Sequence, residues 1–170
     1  MKTYQEVEHS LITKYRKEIW RPFMKAIRDY ELVKENDHIA VCISGGKDSV
    51  LLAKCLEELQ KHGKIKFKLS FLIMDPGYQK ETLTKIKGNL EALNLSYHIK
   101  KSDIFEVANK LSKDHPCYLC ARMRRGFLYQ KAQDLGCNKI ALGHHFDDVI
   151  ETILVSMFYG GEFKTMLPNL

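Results

Sequence analysis

Short apolar runs alternate with helical patterns along almost the whole chain, and this alternation restricts its fold more than any other feature. The apolar runs predict buried strands at 38–43, 67–74, 96–99 and 139–142. Helical periodicity predicts helices at 48–61, 80–93, 103–112, 119–135 and 147–158. Such alternation implies parallel strands joined by right-handed crossovers. The predicted fold is therefore α/β, a Rossmann-like parallel sheet flanked by helices, with a site at the carboxyl ends of the strands.

An amphipathic helical segment precedes the first predicted strand. Residues 5–33 carry apolar side chains four positions apart with basic residues between them, which favours a helix. Pro22 is expected to split or kink this segment because its ring cannot sit in a helix interior without strain. We therefore divide the chain into a helical segment at 1–33 and one α/β domain at 34–170.

The composition, 45% hydrophobic and 28% charged, is that of an ordinary globular protein. No stretch approaches the roughly 18 to 20 apolar residues that span a membrane, and the amino terminus lacks a signal-peptide pattern. We therefore expect a cytoplasmic protein with no membrane partner. Five cysteines, an odd number, favour a metal or redox role over a disulfide framework. A net charge of +6 favours a polyanionic partner such as nucleic acid.

The segment Ser-Gly-Gly-Lys-Asp-Ser at 44–49 follows the first predicted strand and opens a helix. Its backbone N–H groups and the positive end of the helix predict an anion site. Ser44 and Ser49 offer hydroxyl donors, Lys47 adds a cation, and Asp48 is suited to orient a magnesium ion. The spacing differs from that of the common P-loop, in which lysine is followed by serine or threonine. A plain glycine turn between strand and helix is the alternative interpretation.

A pair of cysteines, Cys117 and Cys120, adjoins an arginine-rich helix start. Two thiols form half of a metal site, and a redox dithiol is the second interpretation. The neighbouring arginines, among them Arg124, suit the phosphates of a nucleotide or of an RNA backbone. A solvated helix face would also explain them.

The segment Gly-His-His-Phe-Asp-Asp at 143–148 follows the fourth predicted strand, so it belongs at the same edge of the sheet as residues 44–49. His144, Asp147 and Asp148 are candidates for coordinating magnesium or for general acid-base chemistry near a phosphate. The alternative is a helix cap, with Asp147 as the N-cap residue.

Four motifs occur in order along the chain: SGGKDS, CYLCARMRRG, ALGHHFDD and MFYGG. In this combination the chain closely resembles the tRNA 2-thiocytidine synthetase family, which belongs to the pyrophosphate-loop (PP-loop) ATP pyrophosphatases. The resemblance covers the chain from about residue 10 to its end. It implies an adenine nucleotide alpha hydrolase-like fold, with residues 34–170 as a PP-loop ATP-binding domain. It also implies ATP, Mg²⁺ and an iron-sulfur (4Fe-4S) cluster as cofactors for replacing O2 of a tRNA cytidine by sulfur, with AMP and pyrophosphate released.

The resemblance also assigns roles to individual residues. The cluster ligands would be Cys117 and Cys120. The catalytic residues would be Asp48, Asp147 and Arg124. The nucleotide-binding residues would be Ser44, Gly45, Gly46, Lys47, Asp48, Ser49, Met74, Gly143 and His144. The implied partners are tRNA and a sulfur donor, either a cysteine desulfurase or sulfide, and a homodimer is one candidate for the oligomeric state.

Two departures from the family pattern shape the expectations. The third cluster cysteine of the family lies in a carboxyl-terminal segment that this sequence does not contain, so residues 1–170 are expected to bind ATP without completing thiolation. The loop at 74–78 is shorter than in the best-known members, which leaves the exact substrate open, including a sister group that thiolates another base or another small molecule. The competing hypothesis is a nucleotide- and cluster-binding regulatory or redox module. A third, an amidotransferase-type enzyme, is disfavoured because ammonia transfer needs no metal-binding thiols.

Overall fold

Four parallel strands form one sheet in the computed structural model, which describes residues 3–111 and 116–167 and, at 109 and 116–118, the backbone alone. The strands are β1 (His38–Ile43), β2 (Lys68–Asp75), β3 (Tyr97–Lys101) and β4 (Lys139–Leu142). Their order is β3-β2-β1-β4, and all three pairings are parallel. The sheet reverses its winding direction between β1 and β4. Such a switch point opens a crevice at the carboxyl ends of the central strands.

Helices connect the strands and flank the sheet. They are α1 (Tyr4–Ile12), α2 (Arg21–Asp29), α3 (Lys47–His62), α4 (Lys80–Ala92), α5 (Ile104–Leu111), α6 (Pro116–Asp134) and α7 (Phe146–Gly160). The predicted α/β fold is thus confirmed, with element ends shifted by up to three residues. In the part of the chain that the structure describes, no helix combines the length and the apolar character that a membrane crossing requires.

The amino-terminal segment is helical but interrupted earlier than expected. Turn residues separate α1 from a π-helical turn at Arg16–Trp20, which runs directly into α2. Pro22 is the second residue of α2. The N–H groups of the first helical turn make no intrahelical hydrogen bond, so a proline at this position breaks none. The break therefore lies ahead of the proline. The apolar side of α2, including Phe23 and Ile27, packs on the main hydrophobic cluster.

Strand β1 is the centre of the core. Ile39, Val41 and Ile43 join the main hydrophobic cluster on one face of the sheet. Ala40 and Cys42 alternate with them and are buried on the other face. Burial on both faces explains the continuous apolar run, which is typical of a central parallel strand. The strand therefore holds the segment that follows it in a fixed position.

A buried cation joins α1 to α3. Lys54 lies in the middle of α3 with only 2% of its side chain exposed. Its ammonium donates to Glu8 Oε1 of α1 at 2.6 Å and forms an ion pair with Glu57. It also donates to the carbonyl oxygen of Leu93 at 3.2 Å. These acceptors satisfy the charge, which would otherwise be costly to bury.

Candidate functional site

The loop between β1 and α3 has a backbone shape that requires glycine. Gly45 has a φ of +86°, in the left-handed region that other residues rarely adopt. A Cβ at this position would fall 2.7 Å from Cγ1 of Ile86, so the neighbouring helix α4 also excludes a side chain. The glycine brings the loop close against α4 and turns the chain sharply into α3.

Two serine hydroxyls hold this loop from inside. The Ser49 hydroxyl donates to the Gly46 carbonyl oxygen at 2.9 Å and accepts from the Ser44 N–H at 3.2 Å. The Ser44 Oγ accepts from the Gly46 N–H at 3.3 Å and lies 3.2 Å from Ser49 Oγ. Ser49 is buried, so its hydroxyl shapes the loop instead of facing solvent. The sequence had indicated both hydroxyls as donors to an anion.

The predicted anion site corresponds to the backbone N–H groups at the start of α3. The first backbone hydrogen bond of the helix runs from Val50 N–H to the Gly46 carbonyl oxygen at 3.3 Å. The N–H groups of residues 47–49 therefore precede the helical ladder and have no intrahelical acceptor. Together with the helix dipole they favour an anion at this end. Lys47 is exposed beside them and Asp48 is half-buried.

The segment after β4 touches the start of α3. A Cβ on Gly143 would fall 2.8 Å from both the Cα and the N of Ser49, and 3.0 Å from the carbonyl carbon of Asp48. All three are backbone atoms and cannot move aside easily. Only glycine permits this approach, and the approach places the residues after Gly143 beside the loop at 44–49.

Histidines and a carboxylate open helix α7 at this place. His145 is the N-cap residue of α7, and Asp148 Oδ2 accepts its N–H at 2.7 Å. The same oxygen lies 3.7 Å from Nδ1 of both His144 and His145. The hydrogen bond from the His145 N–H and the nearby imidazoles lower the pKa of Asp148. Asp148 is therefore an ionised group that fixes the turn.

The interpretation of Asp147 as the N-cap residue is wrong. Helix α7 begins at Phe146, so Asp147 is its second residue, and its side chain is 78% exposed. The carboxylate of Asp148, three positions after His145, accepts the otherwise unpaired N–H of the cap residue His145 instead. The carboxylate of Asp147 therefore does not cap the helix and is exposed to solvent.

Arginines of α6 reach the same place. Arg124 and Arg125 line a small cavity together with His144, Leu142 and Tyr129. Arg125 also lines a wider groove along α7 with Asp148. The structure thus brings the arginine-rich helix to the segment at 143–148. Arg125 belongs to the basic run that was expected to suit phosphates, but only Arg124 was named as a catalytic candidate.

The cysteines fall into two groups. Burial raises the pKa of Cys42 to about 12 and that of Cys55 to about 11, so both remain protonated thiols inside the core. Burial also raises the pKa of Cys137. Cys120 is a half-buried free thiol on α6. These environments disfavour the first three as thiolate ligands.

The metal site proposed at the cysteine pair is only partly visible. Cys117 lies three positions before Cys120 in α6, but its side chain lies outside the described residues. Among the described side chains, no three metal-binding groups converge on one point. The assignment of Cys117 and Cys120 as cluster ligands therefore stays a prediction from their spacing in the sequence.

A buried carboxylate that sequence analysis missed shapes the end of β2. Asp75 Oδ1 accepts the N–H groups of Gly77 at 3.0 Å and Tyr78 at 2.8 Å. The Tyr78 ring meets the Phe105 ring edge-on at 6.2 Å. Met74, a predicted nucleotide-binding residue, is buried immediately before Asp75. An aspartate followed by Pro-Gly is a turn signal that could have indicated this arrangement.

The sequence of residues 13–167 matches the family described as the PP-loop domain. The chain is 41% identical over 162 residues to a tRNA-cytidine(32) 2-sulfurtransferase from Paracidovorax citrulli, with 92% of this chain and 51% of that protein covered. A protein of the same name from Neisseria meningitidis is 40% identical over 174 residues, with 99% of this chain and 53% of that protein covered. The chain spans about half the length of the curated relatives it matches.

A solved structure has a similar fold. The U34-tRNA thiolase NcsA from Methanococcus maripaludis, with its 4Fe-4S cluster, matches with a TM-score of 0.63 and 25% sequence identity. The match covers 80% of this chain and 48% of that chain. The parallel sheet and its flanking helices are therefore shared with an enzyme that thiolates tRNA.

Proposed function

The chain belongs to the PP-loop domain family, and from this premise we propose that it acts in ATP-dependent transfer of sulfur to a cytidine of tRNA. The observation that carries the proposal is the contact between Gly143 and the first turn of α3. It sets the segment at 143–148 beside the anion site, and Arg124 lines a cavity with His144 from that segment. The names of the relatives favour this function over a purely regulatory module.

ATP would lie across the carboxyl ends of β1 and β4. The N–H groups of residues 47–49, in the loop segment 44–49, and the Lys47 ammonium would hold the departing pyrophosphate. Met74 at the end of β2 would border the nucleotide. Asp48 and the exposed Asp147 would hold magnesium, which neutralises phosphate charge when bound.

The chemistry divides into two steps. First, O2 of the cytidine attacks the α-phosphorus of ATP, and the bond from that phosphorus to pyrophosphate breaks. Arg124 is suited to stabilise negative charge on the α-phosphate at this stage. Second, hydrosulfide adds to C2 of the base, the C2–O bond breaks, and AMP leaves with the oxygen. The proton on sulfur is lost to solvent or to His144, which leaves the thiocarbonyl.

The sulfur source and the cluster are part of the proposal. Cys117 and Cys120 would be two of the ligands of a 4Fe-4S cluster. When bound, the cluster would carry the sulfur that is transferred. Sulfide or a cysteine desulfurase would supply that sulfur in the cytoplasm. A homodimer is one candidate for the assembly.

The test follows both products of the reaction. The full-length protein is incubated without oxygen with α-labelled ATP, tRNA and sulfide, and AMP and thiolated nucleosides are quantified. We expect AMP and 2-thiocytidine in equal amounts, and loss of both in Lys47→Ala. Lys64→Ala, which removes an exposed lysine near the opposite edge of the sheet, is the matched control. Formation of ADP, or ATP binding with no tRNA-dependent AMP, would overturn the proposal.

A further inference from the structure

A concentration of positive charge on the amino-terminal segment has no task in the chemistry above. Between residues 14 and 28 the chain has six basic residues and one acidic residue. All six basic residues are exposed: Lys14, Arg16, Lys17, Arg21, Lys25 and Arg28. Side chains of like charge repel one another on a folded surface unless a partner of opposite charge binds them.

Four of these cations form a row, which we call the basic ladder: Lys17, Arg21, Lys25 and Arg28. Their spacing of four, four and three residues places them above one another on one side of the π-helical turn and α2. At 1.5 Å per residue the ladder is roughly 16 Å long. This length can follow several consecutive phosphates of one nucleic-acid strand.

The apolar side of α2 fixes the rotation of this helix about its own axis. Phe23, Met24 and Ile27 pack against the main hydrophobic cluster, and Ile27 is only 6% exposed. The ladder is therefore held facing solvent. Because the apolar side chains of α2 are occupied in the core, the helix has no apolar face to insert into lipid, which distinguishes it from a membrane-binding amphipathic helix.

Few ion pairs compensate the ladder. Lys25 and Arg28 both approach Asp29, and their side chains remain 71% and 76% exposed. In the part of the chain described by the structure, Lys17 and Arg21 form no ion pair. Exposed pairs such as those with Asp29 are weak and exchange readily with a phosphate.

Aromatic side chains lie at both ends of the ladder. Tyr15 is 38% exposed and Tyr30 is 53% exposed. The Lys14 ammonium lies 5.1 Å from the centre of the Tyr15 ring. Cations flanked by exposed aromatic rings suit a polyanion that also carries stacking bases.

We infer that the basic ladder binds the sugar-phosphate backbone of the tRNA substrate and positions it for the reaction at the PP-loop. This inference rests on the proposed function, since it takes the polyanion to be the RNA that is modified. The ladder contacts phosphates and carries no base readout, so its contribution is independent of nucleotide sequence and falls with salt.

The test compares two sets of substitutions that remove the same charge. The ladder variant is Arg21→Gln, Lys25→Gln and Arg28→Gln. The control variant is Lys64→Gln, Lys66→Gln and Lys68→Gln, which changes exposed lysines at the opposite, amino-terminal edge of the sheet. Kd for tRNA is measured for full-length protein between about 50 and 200 mM salt. ATP affinity and thermal unfolding are measured in parallel.

We expect the ladder variant to raise Kd for tRNA at least tenfold at low salt. The slope of log Kd against log salt should become shallower by about 2, as expected for the loss of three phosphate contacts. ATP affinity and unfolding should stay at wild-type values, and the control variant should bind tRNA almost normally. Equal losses in both variants would overturn the inference, because only total charge would then matter.

Different results would contradict the role inferred for the basic ladder and the proposed function. Wild-type thiolation together with unchanged tRNA affinity in the ladder variant would overturn the ladder alone. The ladder inference would also be overturned, without the proposed function, if the ladder variant kept its tRNA affinity but no longer bound an acidic protein or anionic vesicles. A wild-type protein that neither binds tRNA nor forms thiolated nucleosides would overturn both.

Discussion

Gly143 and Ser49 lie so close that a Cβ on the glycine would be 2.8 Å from the backbone N and Cα of the serine. We expect Gly143→Ala to push the segment at 143–148 away from the phosphate loop. Overpacking against backbone typically costs about 1–3 kcal/mol. If that cost falls on the nucleotide-bound state, ATP affinity measured by calorimetry should fall roughly tenfold or more.

The matched control for this substitution is Gly88→Ala. Gly88 lies inside α4, where an added Cβ meets no described atom within 4 Å. Alanine should stabilise this helix by roughly 0.5–1 kcal/mol and leave ATP binding unchanged. Wild-type ATP affinity in Gly143→Ala would contradict the role we give to the contact.

The two groups of cysteines should differ in iron binding. Cys117→Ser and Cys120→Ser should each abolish iron uptake during anaerobic reconstitution, because these thiols adjoin cationic side chains and are the ones proposed for the cluster. Cys55→Ala should keep its iron, since Cys55 is buried in α3 and its pKa is raised to about 11. Iron content per chain and visible absorption are the measurements.

Two outcomes would contradict the cluster assignment. One is a colourless wild-type protein that binds stoichiometric zinc, which would make the site structural. The other is a loss of iron in Cys55→Ala that equals the loss in Cys120→Ser.

The carboxylate of Asp37 should stabilise the fold in a pH-dependent way. Burial raises the pKa of Asp37, but hydrogen bonds, first of all from Lys139, outweigh this effect, so the pKa lies below its usual value. Nζ of Lys139, at the start of β4, lies 2.7 Å from Oδ2 of Asp37. Asp37→Asn should therefore lower the free energy of unfolding at pH 7 by about 2 kcal/mol.

The sign of the pH effect follows from the lowered pKa. The contribution of Asp37 is fully present above the unfolded value of about 3.9 and is lost as pH falls through the folded value. The difference between wild type and Asp37→Asn should be constant from about pH 5 to 7 and should shrink below about pH 4. Urea unfolding across this range measures it, with the exposed Asp29→Asn as control. A difference that grows on acidification would contradict this account.

The fold could be predicted because each central strand is buried on both faces and therefore shows as an apolar run. Strand β3 was predicted too short, since Lys100 and Lys101 pair through backbone at the sheet edge and their side chains carry no strand pattern. Helix α6 begins at Pro116, earlier than predicted, because proline at the first helical position needs no N–H partner.

The candidate site was only partly predictable. The motif at 44–49 indicates an anion site, but not that the Ser49 hydroxyl closes the loop from inside. Adjacent aspartates look equivalent in a sequence, yet Asp148 caps α7 while Asp147 stays exposed. Lys54 likewise looks like a surface lysine of α3, and its burial depends on Glu8, 46 residues away. Such contacts depend on distant segments, and no local pattern encodes them.

The central claim is that ATP activates a carbonyl oxygen of tRNA, and the fate of that oxygen tests it most directly. A tRNA whose cytidines carry ¹⁸O at C2 is incubated anaerobically with the full-length protein, ATP and sulfide, and the nucleotide products are analysed by mass spectrometry. We predict that AMP gains one ¹⁸O for each thiolated cytidine formed, because the C2–O bond breaks after O2 has bonded to the α-phosphorus. Appearance of ¹⁸O in water or in inorganic phosphate, with none in AMP, would contradict the account.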